Sequence, residues 1–497
     1  ERVATALRRR RRLAAIVATL SDGDGDSDTD SDSDTDSDTG LDLCAPPDGC
    51  ALADVGAAYW TGQAAASVGY VVAALDLDDD GVSELVFNVV DGTAGRLVSL
   101  DAAEAAAGSY TKISSVDYAR YDATDPGEST GANGAVATVL LGGTRQLLAG
   151  DPEANDGTAL ATGGVWIFEQ FEGGAHGDRG RVVGEAPGDR AGTSVAAASG
   201  DEDLLAVGAP GAGGCGVLYA GSWDPAVVGT GEIAGDLSTM YVTGAMRKLV
   251  TGCEPTADPY EFGRGVVWAD FTDNGVADVA VSAISRDTRG GSDAGYVYVI
   301  PDVLYLTDVA YVDDLVLAGS SVGIEGGNSR DWFGISLAAA DHDGDGSDDL
   351  LVGAVGFDDV GRDRGAVFAF LDLAEPSPGY AEADDANVKY RGSTDDLGLG
   401  YLLTTLPAEG AEGFAASAFP GAEVWTVPGS ATPTSADFDG APGAARLDLG
   451  SAGLACSLGA GELGLDAVAL LVGTCDDAGP SSKAEAGSAW VIPGAGR

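Results

Sequence analysis

The residues in this chain best suited to chemistry lie in "DHDGDGSDDLLVGA", at 341–354. Asp341, Asp343 and Asp345 stand at positions 1, 3 and 5 of the stretch, and Gly346 follows at position 6. Hard oxygen donors crowded in this way suit a divalent cation, and a glycine there permits a sharp backbone turn. An EF-hand would add a Glu at position 12 and continue into a helix. Position 12 is Val352, and the exit "LLVGAV" is apolar and strand-like. Three readings stand open: a damaged EF-hand, a chance acidic turn, or a calcium loop of another kind.

Aligning the chain on this stretch brings out a long period. Related units read "EFGRGVVWADFTDNGVADVAVSAISRDTRGGSDAGYVYVI" near 270 and "SVGYVVAALDLDDDGVSELVFNVVDGTAGRLVSL" near 76. A shorter one, "AGTSVAAASGDEDLLAVGAPGAGGCGVLYA", lies near 203, and three more keep the frame without an acidic loop. Each unit ends in a glycine followed by an aromatic or aliphatic run; these are Gly95, Gly164, Gly216, Gly295, Gly365, Gly421 and Gly487. Seven units of roughly 60 residues fill 57–497.

Each unit offers four strand-like runs joined by turns. In the fifth they are "FGISLAAA", "DLLVGA", "GAVFAF" and "NVKYRG", here strands A to D. One such sheet cannot cover both apolar faces alone, so the expected fold is all-β, a seven-bladed β-propeller of four-stranded antiparallel blades. The last unit stops after its strand C, and a spare strand D, "AAYWTG", precedes the first unit. Ala57–Thr61 is therefore expected to join the last blade and close the ring, leaving no free edge.

"FG…DxDxDG…DLLVGA" resembles the FG-GAP repeat of the integrin alpha-chain N-terminal propeller and its bacterial relatives. The pair Phe-Gly stands at 262–263 and 333–334, and Gly-Ala-Pro at 208–210. The resemblance implies that the A–B loop binds calcium through positions 1, 3, 5, 7 and 9. In the fifth unit these are Asp341, Asp343, Asp345, the Ser347 carbonyl and Asp349. The first unit offers Asp76, Asp78, Asp80, the Val82 carbonyl and Glu84. The fourth offers Asp270, Thr272, Asn274, the Val276 carbonyl and Asp278, and its departures at positions 3 and 5 imply weaker binding. Calcium is expected in the first and fifth loops, with the fourth a further candidate. Magnesium tolerates this many protein ligands poorly. His342, at position 2, is expected to point outward.

The net charge of −53 repels nucleic acid and anionic membrane surfaces. Residues 1–20, with "RRRRRLAAIVATL", read as a signal-like basic and apolar segment too short to span a bilayer. Residues 21–56 carry Asp at every even position from 22 to 38 and read as an acidic, disordered linker that includes Cys44 and Cys50. The six cysteines pair most simply as 44–50, 215–253 and 456–475, one of 15 connectivities. The signal-like segment, the cysteines and the calcium loops together lead us to expect a protein secreted or displayed on the cell surface.

Catalytic signals are poor. "AGSSVG" puts Ser321 in a formal GxSxG, which needs a strand–turn–helix elbow and a histidine partner, whereas here it is expected between strands D and A of a blade. The chain has only His176 and His342. "GAGGCG" at 211–216 joins two expected strands and opens no helix, so it cradles no phosphate. The face opposite the calcium loops carries Arg286, Arg289, Arg362 and Arg364, with Tyr260 and Trp332. Those arginines suit an anionic partner or, more simply, pair with Asp287, Asp358, Asp359 and Asp363. The tyrosine and tryptophan are expected to pack between blades. The expected work is non-catalytic recognition of an extracellular protein or glycan; a propeller hydrolase or its accessory module, and a structural surface protein, are the alternatives.

Overall fold

The computed structural model describes residues 50–51, 58–61, 66–78, 81–91, 94–100, 111–112, 119–122, 135–141, 144–154, 161–168, 174–177, 180–198, 204–222, 233–237, 246–253, 259–358, 361–371, 373, 379–420, 422–449, 454–463, 468–475 and 487–493. The signal-like segment, the Asp-rich run, Cys44, residues 101–108 ("DAAEAAAG", whose composition suits a short helix) and the acidic residues 201–203 of the third unit lie outside them.

Strand formation follows the alternation of β-branched and aromatic residues with glycine turns. The fifth unit folds into strands Leu337–Ala340, Asp349–Ala354, Ala366–Phe370 and Val388–Arg391, each antiparallel to the next. Seven such sheets make up the molecule, a β-propeller. Strands B and C are buried on both faces because each blade is sandwiched between two neighbours. Alternate residues point to opposite neighbours. Leu205 and Val207 pack towards the second blade, while Leu204 and Ala206 pack towards the fourth. Seven apolar clusters result, each between consecutive blades, and one joins the seventh blade to the first through Leu471 and Phe87.

Closure occurs as the sequence implies. Ala58–Thr61 pairs antiparallel with Ser488–Pro493 as strand D of the seventh blade. A fifth strand in every sheet was not expected. It is a short piece of the next blade's C–D connection, laid parallel to strand D. Gly379–Glu382, from the fifth blade, pairs with Val322–Glu325 of the fourth. Val309–Tyr311 pairs in the same way with the third blade, and Gly174–Gly177 with the first. The seventh blade's counterpart is Cys50–Ala51, paired with Leu447 and Asp448 of the sixth. The described sheets thus begin at Cys50.

The glycine ahead of strand C has a steric reason. Gly295 bridges Phe333 at the start of the next blade's strand A. Its φ is +87°, and a Cβ there would lie 2.2 Å from the Phe333 carbonyl oxygen. Gly216 meets Phe262, Gly365 meets Leu399 and Gly487 meets Val68 in the same way. In the second blade this role falls to Gly163, one residue before the glycine the repeat points to.

Cys215 and Cys253 form a disulfide, with Cα atoms 6.0 Å apart. It ties the third blade's B–C turn to the segment leading into the fourth blade. Cys456 is also disulfide-bonded, and Cys475 stands on the adjacent strand opposite Leu454. No helix among the described residues is long and apolar enough to cross a membrane.

Candidate metal loops and the opposite face

Antiparallel blades place all A–B loops on one face of the ring and all B–C and D–A loops on the other. Three acidic A–B loops share one turn. The first-position carboxylate accepts the N–H of the sixth-position glycine in each: Asp76 from Gly81 at 3.1 Å, Asp270 from Gly275 at 2.7 Å, Asp341 from Gly346 at 3.1 Å. These glycines have φ of +81°, +80° and +97°, a conformation that favours glycine. The ninth-position carboxylate closes the loop from the other side. Glu84 accepts the Leu77 N–H at 2.7 Å, and Asp349 the His342 N–H at 2.8 Å.

Among the described residues, two carboxylate groups result. Asp76, Asp78 and Glu84 bring ligand atoms within 4.8 Å of one another, and so do Asp341, Asp343 and Asp345. Either trio could hold a metal ion. Asp80 lies outside the described residues. Asp349 is not part of the fifth-loop trio, whereas its counterpart Glu84 belongs to the first. The donor chemistry fits a hard cation. Oδ1 of Asp76 and Oδ1 of Asp341 are both buried without a hydrogen-bond partner, a costly state for a carboxylate oxygen. Burial and the charges of Asp345 and Asp341 hold the Asp343 carboxyl above its ordinary value.

The fourth loop is built differently. With Thr272 and Asn274 in place of aspartates, it satisfies much of itself. The Thr272 hydroxyl and N–H both donate to Asp278 Oδ2 at 2.9 Å, and Asn274 Oδ1 accepts the Val276 N–H at 2.7 Å. One oxygen is left over: Asp278 is fully buried, its Oδ1 has no partner, and burial pushes its carboxyl up to about 6.

His342 does not point outward. It is fully buried, because position 2 of the loop faces the sixth blade. Nε2 lies 2.7 Å from the Tyr390 hydroxyl and Nδ1 3.0 Å from the Glu412 carbonyl, with the ring edge-on to Phe414. Burial lowers its pKa. The partners lie 48 and 70 residues away in sequence, so no local signal marks this packing.

On the opposite face all four arginines are paired. Arg286 meets Asp313 at 2.7 Å, Arg289 meets Glu325 at 3.0 Å, Arg364 meets Asp395 at 2.9 Å, and Arg362 meets Asp396. The partners are not the adjacent aspartates that the sequence suggested. They come from the C–D connection (Asp313) and strand D (Glu325) of the fourth blade and from the loop after strand D of the fifth (Asp395 and Asp396). Arg286 also lies over the rings of Tyr296 and Tyr260, at 4.5 and 5.4 Å from their centroids. Tyr260 packs against the core between the third and fourth blades, and Trp332 is half-buried.

Ser321 sits immediately before strand D of the fourth blade, not between strands D and A. Its hydroxyl is buried without a hydrogen-bond partner. The 211–216 glycines form a 3-10 turn between strands B and C.

Asp331, just ahead of Trp332, is buried. Its Oδ2 accepts the Asn328 N–H at 3.0 Å while Oδ1 has no partner. Burial pushes its carboxyl from 3.8 up to about 7, against the Asn328 hydrogen bond and with help from the charge of Asp358. The folded chain therefore keeps this proton at pH values where the unfolded chain has lost it. Stability contributed by this group is full below about pH 4 and falls as pH rises towards 7. Asp331→Asn keeps an acceptor for Asn328 and removes the charge. The expected gain is about 1–3 kcal/mol at pH 8 and close to none at pH 4, read from urea midpoints at the two pH values. Equal gains at both would show that charge is not the cause.

The fold and its loops define a class: a seven-bladed β-propeller whose A–B loops carry acidic clusters on one face. No protein-family model matches the chain, and no curated protein matches it.

Proposed function

We propose that this chain is a calcium-stabilised propeller of the FG-GAP kind, secreted or displayed on a cell surface, which recognises an extracellular protein or glycan without catalysis. The observation that carries the reading is the repeated A–B loop. Two copies converge three carboxylates on one point, each with a buried aspartate oxygen that has no protein partner. Calcium supplies the positive charge that such a cluster lacks. Asp76, Asp78 and Glu84 would hold it in the first blade, and Asp341, Asp343 and Asp345 in the fifth. The Phe262–Gly263 and Phe333–Gly334 pairs, each docked on a glycine of the preceding blade, also favour the FG-GAP kinship. Absence of catalysis is favoured by His342, which is committed to packing, and by Ser321, whose buried hydroxyl has no hydrogen-bond partner.

Recognition is assigned to the face of B–C and D–A loops, because the metal loops occupy the other. The test is an array of extracellular proteins and glycans probed with and without calcium, beside a panel of hydrolase substrates. The expected result is binding of a defined ligand, weakened by substitutions at Arg362 or Trp332 and not by substitutions on the metal-loop face. Turnover of any substrate by the purified chain would overturn the non-catalytic reading.

A further inference from the structure

Carboxylates that are not themselves loop ligands tie neighbouring A–B loops together. Asp348 stands at position 8 of the fifth loop, directly before Asp349. Its Oδ2 accepts the N–H of Asp270, the first residue of the fourth loop, at 2.9 Å. Glu412, in the sixth blade's A–B loop, does the same for the fifth. Its Oε2 accepts the N–H of Asp341 at 3.2 Å, and its own N–H donates to the Asp341 carbonyl at 2.6 Å. The sixth-blade loop has no acidic cluster of its own, yet it grips the fifth. Gly344 packs beside Ala411, where a Cβ would come within 3.0 Å of the backbone. The Ser430 N–H donates to the His342 carbonyl at 2.9 Å.

Both tethers run the same way round the ring, from one blade's loop to position 1 of the preceding loop. Position 1 matters most in each turn, because its carboxylate also holds the sixth-position glycine. A cation seated in the fifth loop fixes the backbone from 341 to 349, and with it the root of Asp348. The fourth loop, which has only two carboxylates among its ligand positions, then starts from an ordered first residue.

We propose that Asp348 and Glu412 are positioning residues that couple the cation loops, so that occupancy of the fifth loop strengthens binding in the fourth. This rests on the calcium reading above. Coupling of this kind is reciprocal and is typically about fivefold or more in affinity.

The test is calorimetric titration of the full chain with calcium alone, in an Asp78→Ala background that silences the first loop. Adding Asp343→Ala silences the fifth and isolates the fourth. The fourth-loop affinity should fall about fivefold or more when the fifth is silenced. Asp348→Ala should reproduce that loss with the fifth loop intact. Glu412→Ala should weaken the fifth loop, and Glu412→Gln, which keeps an acceptor oxygen, should restore most of its affinity. In chelator, Asp348→Ala should lose only what one hydrogen bond contributes, and a further loss should appear when calcium is present. An unchanged fourth-loop affinity in Asp348→Ala, or a fourth loop that binds nothing in any variant, overturns the coupling and leaves the calcium reading standing. A parent chain that binds no calcium at all overturns both.

Discussion

Excess chelator is expected to lower the melting temperature of this protein, and added calcium to restore it. Each acidic trio crowds like charges within 4.8 Å, an arrangement that costs free energy until a cation neutralises it. An ion that binds only the folded chain adds about 2.7 kcal/mol per site at a hundredfold excess over its Kd, so two sites add about 5 kcal/mol. Asp78→Ala should remove about half of the increment that these two sites give, and Asp343→Ala at least as much. The measurement is scanning calorimetry with and without chelator at matched ionic strength. Matching is necessary because a chain with a net charge of −53 responds to any salt by screening. An unchanged melting curve in chelator would sink the metal assignment.

Gly295→Ala is expected to cost about 3–4 kcal/mol, the sum of a left-handed backbone and an overpacked contact. The contact is with backbone, at 2.2 Å from the Phe333 carbonyl oxygen, so no side chain can swing aside. Gly188 supplies the comparison. Its φ is +91°, and a Cβ added there would meet nothing within 4 Å. Gly188→Ala should therefore lose only the backbone part, about 1–2 kcal/mol. Urea denaturation of the two variants separates the terms. Equal losses would show that the approach of the two blades at Gly295 is not tight.

The architecture was legible because its signal repeats. Strand runs such as "DLLVGA" and "GAVFAF" recur in a fixed order, and the strand-D pattern "AAYWTG" ahead of the first unit marks the strand that pairs with Ser488–Pro493. The fifth strands were not legible. Gly174–Gly177 and Ala436–Asp437 are too short and too plain for an alternating pattern, and their pairing is set by the neighbouring blade's edge. Other equivalents of Phe-Gly were hidden by the varying first residue. Val68–Gly69, Ala191–Gly192 and Leu399–Gly400 hold the same place, and all three glycines have positive φ. The metal loops could be read because their donors lie within nine residues. What surrounds them could not. Glu412 reaches Asp341 across 71 residues and Asp348 reaches Asp270 across 78, through contacts that exist only once the blades stand side by side.

The parallel fifth strands bear on how the molecule would survive cutting. Each C–D connection is stitched to the blade before it, and each junction also has its own apolar cluster. A protease nick in one exposed turn would leave two fragments that still share sheets and cores, with no blade free to peel away. Fragments expressed separately from such a cut should find each other and reassemble, as halves of a clasp rather than as independent domains.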